Sequence, residues 1–168
     1  MSVLALSGLP QLLERESRAS SEDSRTVHGE IQKTKRYVRS IASSMQSQAY
    51  AALEDVVARC SYPDWDGHGA RPISSLTKAW AELFLDALPM SLPTPEIVPE
   101  ADGEVAIEWD IGTDRIFSVS IGDTGLLHFA GLFGGGIERH GVEPFDGLVP
   151  SEILAYIGRL YWPRRRAA

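Results

Sequence analysis

The stretch Glu104-Val105-Ala106-Ile107-Glu108-Trp109-Asp110, followed by the turn Gly112-Thr113-Asp114 and by Phe117-Ser118-Val119-Ser120-Ile121, decides the class of fold. Val105, Ile107 and Trp109 alternate with mostly charged neighbours, and a period of two marks a strand with one buried face. Phe117, Val119 and Ile121 repeat the pattern with serines between them. Gly122-Asp123-Thr124-Gly125 turns the chain again. Residues 126–133 predict a third strand, apolar on both sides and therefore central or covered. Gly134-Gly135-Gly136 leads to a short fourth strand over 137–140. Consecutive strands joined by short turns make an antiparallel meander.

Outward from this core the period becomes helical. Upstream, Ile31, Val38, Ile41, Met45, Ala49, Ala52, Val56 and Cys60 recur at helical spacings, with a weak point near Ser43 and an end at Tyr62-Pro63. Ser74 or Ser75 caps a second helix with Leu76, Trp80, Leu83 and Ala87 as its apolar stripe, widened by Ala79, Phe84 and Leu88, and Pro89 stops it. The three prolines of SLPTPEIVP (91–99) read as an extended linker. Downstream, Pro150 opens a last helix that buries Ile153, Leu154, Ile157, Leu160 and Tyr161. The expected fold class is α+β: two N-terminal helices, a meander of three to four strands, and a C-terminal helix packed on one sheet face. Residues 1–28 read as a flexible segment, 29–163 as a single domain and 164–168 as a basic tail.

Size and composition agree with one domain. The chain has 168 residues, 43% of them hydrophobic, and a chain of this length buries enough surface to fold without metal or disulfide. Its single cysteine, Cys60, excludes an internal disulfide and a multi-thiolate zinc site. No apolar run suits a membrane span, and the start lacks a basic n-region, so the expectation is a soluble cytoplasmic protein. Charge is uneven. Residues 95–146 hold Arg115 and Arg139 against eleven carboxylates, whereas the two ends are mildly basic. That balance disfavours direct nucleic-acid binding and suits a partner with a basic surface.

Three segments are candidate sites. In Asp64-Trp65-Asp66-Gly67-His68, the alternation of Asp64, Asp66 and His68 would let an extended loop offer two carboxylates and an imidazole to a divalent cation. Asp and Gly are also the ordinary residues of turns, and this reading is favoured, with Trp65 plugging the core. In the glycine-rich segment, Glu138, Arg139 and His140 follow a loop that matches no nucleotide-binding fingerprint, and a hairpin or bulge is favoured. Glu138 and His140 would form an acid–base pair or simply face solvent. Glu108 and Trp109 lie on the first strand, where core packing explains the aromatic better than base stacking does. Cys60 reads as a small buried hydrophobe. No residue is assigned to catalysis, and no cofactor or metal is expected.

The segment Trp65-Asp66-Gly67-His68-Gly69-Ala70, with Pro72-Ile73-Ser74, a helix ending in Ala87-Leu88-Pro89, and Glu108-Trp109, resembles a group of small bacterial proteins sharing a W-D-G-x-G-A turn and an E-W strand. The resemblance spans roughly residues 60–160. It implies a bacterial source and carries over no catalytic residue. The leading expectation is a non-enzymatic protein that binds another protein, as an antitoxin, an immunity protein or an inhibitor of a phage-defence (CRISPR-type) complex does. The alternatives are a metal-assisted enzyme using Asp64, Asp66 and His68, and an acidic DNA mimic.

Overall fold

The structure, a computed structural model, describes residues 46–161. The expected flexible segment 1–28, the expected helical residues up to 45 with the weak point near Ser43, and the expected basic tail 164–168 lie outside the described residues. Helix α1 covers 46–59, α2 Ser75–Ala87 and α3 Ser151–Tyr161. Between α2 and α3 run five strands: β1 Glu96–Pro99, β2 Val105–Asp110, β3 Arg115–Ile121, β4 Leu126–Phe133 and β5 Glu138–Pro144. They form one sheet in the order β1-β2-β3-β4-β5, every neighbouring pair antiparallel. The chain is thus α+β with a simple meander.

The sheet has one strand more than expected. Residues 96–99, read as linker, pair with β2 from Glu96↔Glu108 to Pro99↔Val105. The bond from Glu100 N–H to Glu104 O sets the alternation, so Pro95 and Pro99 turn their missing N–H groups away from β2. At an edge a proline in that phase loses no ladder bond. The fourth expected strand is also longer, seven residues instead of a short piece.

One face of the sheet is covered. Ile97, Ile107, Val119, Phe129 and Gly141 form one cross-strand row, and Trp109, Phe117, Gly131 and Arg139 the next. α2 lies against β2 and β3, and α3 against β3 and β4. Ile153, Ile157 and Leu160 of α3 are fully buried there. Arg115 donates from its guanidinium to Leu160 O, closing the C-terminal end of α3. Phe117, Phe129, Phe133 and Tyr156 pack as a cluster with centroids 5.5–6.1 Å apart. Gly131 makes room for it: a Cβ there would stand 2.7 Å from Phe117 Cδ2.

α2 is rotated relative to its expected stripe. Thr77, Ala81, Phe84 and Leu85 are buried, while Leu76 is 52% and Leu83 41% exposed. The helix carries apolar residues around most of its circumference, so spacing alone does not select the packed side. Ser74 is the cap, accepting from Thr77 N–H at 2.9 Å. α1 buries Ala49, Leu53 and Val56, with Cys60 just beyond its end. Tyr50 Oη donates to Asp86 at 2.5 Å and Lys78 Nζ meets Glu54 at 2.5 Å, which ties α1 to α2. Among the described residues no helix is long and apolar enough to cross a membrane.

Candidate functional site

The turn at Trp65 uses its polar groups on its own backbone. Asp64 Oδ1 accepts from Gly69 N–H at 2.7 Å, and Asp66 Oδ1 accepts from His68 N–H at 2.8 Å and Ala70 N–H at 3.1 Å. Asp64 N–H in turn donates to Ala70 O at 2.8 Å. The N–H of His68, then that of Ala70, hold the Asp66 carboxyl below the usual range. Asp64 (φ 61°), Gly67 (74°) and Gly69 (91°) adopt left-handed backbone, which Asp tolerates and Gly favours. Trp65 is half-buried against the core and donates its indole N–H to Arg71 O at 3.0 Å. The segment is a self-bonded turn that joins α1 to α2.

The glycine-rich loop is likewise a hairpin. Gly134, Gly135 and Gly136 all have positive φ, Phe133 N–H reaches Ile137 O at 2.9 Å, and Gly134 N–H reaches Asp114 O at 2.8 Å. Cys60 is buried, and burial pushes its thiol up, away from the reactive thiolate. Trp109 is 1% exposed and donates to Pro93 O at 2.9 Å, so it belongs to the covered core. Glu108, its neighbour in sequence, points to the other side.

That other side is the candidate surface. No described helix covers it. Its rows are Glu96, Glu108, Ser118, Ala130 and His140; then Val98, Ala106, Ser120, His128 and Val142; then Asp110, Ile116, Leu132 and Glu138. The open face therefore unites Glu108, Glu138 and His140 from the sequence-predicted set, leaves Trp109 and Arg139 on the covered side, and lies apart from the Asp64–His68 turn. No Lys or Arg occupies these rows, and Arg139 borders the face at its β5 edge, its guanidinium donating to Glu138 O. Val98, Leu132 and Val142 are exposed apolar side chains among the carboxylates. Burial pushes the Glu108 carboxyl above its ordinary range, and the nearby charges of Asp110 and Glu96 push the same way.

A second acidic group closes one end of this face. The carboxylate oxygens of Glu100, Asp102 and Glu104 lie within 4.8 Å of one another, and His128 Nδ1 is 3.5 Å from Glu104 Oε2. Glu100 Oε2 is enclosed without a hydrogen-bond partner among the described residues. Burial raises that carboxyl; a hydrogen bond from Ser120 opposes the shift, and the charges of Asp102 and Glu104 add to it. Of the described residues this group has the spacing that would suit a small cation, although exposed carboxylates also gather in this way without one. Sequence reading did not single out Glu96, Glu100, Asp102 or Glu104 as a set. The signal was present: acids occupy every second position from 96 to 110 except Val98 and Ala106, and the tight turn after β1 preserves that phase.

No family model, curated protein or solved structure matches this chain.

Proposed function

We propose that the protein acts by binding another protein through the open face of its sheet, the partner contributing Lys or Arg side chains. The observation that carries this reading is the composition of the face: Glu96, Glu108, Asp110 and Glu138 among its rows, exposed Val98 and Val142 on its edge strands and Leu132 on β4, and no Lys or Arg in those rows. Exposed apolar side chains set among polar and charged ones are a common make-up of a protein-binding surface. Cross-strand carboxylates such as Glu96 and Glu108 repel one another, and a cation supplied by a partner relieves that repulsion. An antitoxin, an immunity protein and an inhibitor of a phage-defence complex all work by contact of this kind, and the W-D-G-x-G-A turn fits a bacterial source.

Supporting a non-enzymatic role, Asp64 and Asp66 spend their carboxylates on backbone N–H groups and Cys60 is buried. A DNA mimic needs its carboxylates on one surface, whereas here Glu143 lies on the covered side and Asp102, Asp114, Asp123 and Asp146 lie in turns.

The experiment is a binding titration against the product of the adjacent gene, at low and high ionic strength, with the wild type and Glu108→Lys. The reading expects association that weakens at high salt and falls at least about tenfold in the variant. Binding that ignores both salt and the substitution would remove the open face from consideration.

A further inference from the structure

We propose that two copies of this chain join through the outer edge of β5, extending the meander into one continuous sheet across a two-fold axis at Gly141. This goes beyond the partner proposed for the open face and does not depend on it.

β5 is the last strand of the sheet, and among the described residues nothing pairs with its outer side. The bonds from Phe133 N–H to Ile137 O and from Phe145 N–H to Gly125 O show that odd-numbered residues of this strand face β4. The N–H and C=O groups of Glu138, His140 and Val142 therefore point outward, in the alternation of an antiparallel ladder. A seven-residue free edge of this kind is a template for another strand. The opposite edge, β1, is four residues long with Pro95 and Pro99 turned outward, which blunts it.

The sequence of β5 selects a second copy as the occupant. With Gly141 opposite the second copy's Gly141, Arg139 stands opposite the second copy's Glu143, and the two-fold axis repeats the pair. Both pairs occupy non-hydrogen-bonded positions, where side chains approach most closely. His140 N–H then donates to the second copy's Val142 O, Val142 N–H to its His140 O, and Glu138 N–H to its Pro144 O. Pro144 has no N–H to return, so Glu138 O alone lacks a donor from the second copy. That carbonyl already accepts from Arg139 Nη1 at 2.6 Å. Moving the axis to His140 or Val142 sets Arg139 against Gly141 or Phe145 and loses the charge pairs. The contact is isologous and closed, the form that soluble dimers adopt. A two-fold axis perpendicular to the sheet keeps both open faces on the same side, doubling the acidic surface.

Sedimentation equilibrium on the full chain, from micromolar to millimolar, tests this. The wild type is expected to reach twice the chain mass. Val142→Pro removes an outward N–H without touching the bonds to β4 and should leave a monomer. Arg139→Glu should weaken the dimer by at least about tenfold, because two equivalent pairs change sign. Adding Glu143→Arg to that variant should restore association to within about threefold, which a purely structural role of either residue does not predict. Far-UV circular dichroism checks that each variant folds, and if Val142→Pro does not, the charge-exchange series decides alone. A wild type that stays monomeric at every concentration overturns the proposal, as does a dimer indifferent to the charge exchange. So does a monomer whose Glu138, His140 and Val142 amides resist hydrogen exchange, since another segment would then occupy the edge.

Discussion

Glu96 of β1 stands directly opposite Glu108 of β2 on the open face, two carboxylates in one cross-strand pair. Like charges in this position destabilise a sheet by about 0.2–1 kcal/mol. The Glu108 carboxyl is raised by burial first, then by Asp110 and Glu96. The folded protein therefore holds that proton more tightly than the unfolded chain does, and stability falls as pH rises from the ordinary glutamate range through the folded value. Glu108→Gln should gain about 0.2–1 kcal/mol at neutral pH, with the gain vanishing once both states are protonated. Urea unfolding at neutral and acidic pH measures it, and equal effects at both would contradict the sign.

Gly131 lies beneath the aromatic cluster, and an added Cβ would meet Phe117 at 2.7 Å and Phe133 at 3.0 Å. Phe117 is fully buried, in ring contact with Trp109, Phe129 and Tyr156. Gly131→Ala is expected to cost about 1–3 kcal/mol as overpacking, read from the shift in the urea midpoint.

Asp64 contributes a left-handed backbone and a carboxylate that accepts from Gly69 N–H. Asp64→Ala loses both advantages and should destabilise by about 2 kcal/mol. Asp64→Gly restores the backbone freedom alone, and thermal melts should place it between Ala and wild type. If all three melted together, the turn would not depend on this residue.

Acid should loosen the same turn through Asp66. Its carboxyl is held down by the His68 and Ala70 N–H groups, so the stability it provides is present at neutral pH and is lost as pH falls through the folded value. Asp66→Ala should lower the melting temperature at neutral pH and flatten its decline in acid.

Cys60 offers a kinetic check on the core. Buried and raised in pKa, it should react with a disulfide reagent only as fast as the protein opens, and promptly in denaturant. Rapid labelling of the native protein would place the thiol at the surface.

The first two of the three central strands were legible because Val105–Trp109 and Phe117–Ile121 alternate with polar neighbours, and a period of two has no helical reading; the third was legible as a short apolar run between turn residues. The Ser74 cap and the stop at Pro89 were legible for equally local reasons. β1 was not. Two of its flanking prolines argue for a linker, and only the phase in which Pro99 meets β2 makes it a strand. The rotation of α2 was hidden by its broad apolar circumference. At the candidate site, Glu108 stood out apart from the pair Glu138 and His140, whereas their common surface required the register.

Local chemistry wrote the elements, the turn at Trp65 and the acidic excess into the chain, since alternation, capping and Asx turns act between residues a few positions apart. Which face the helices cover, and hence whether those carboxylates meet solvent together, depends on contacts between strands and helices far apart in sequence. Burial of Trp109, Phe117 and Phe129 against α2 and α3 made that choice, and it left Glu96, Glu108 and Glu138 on the side that remains open.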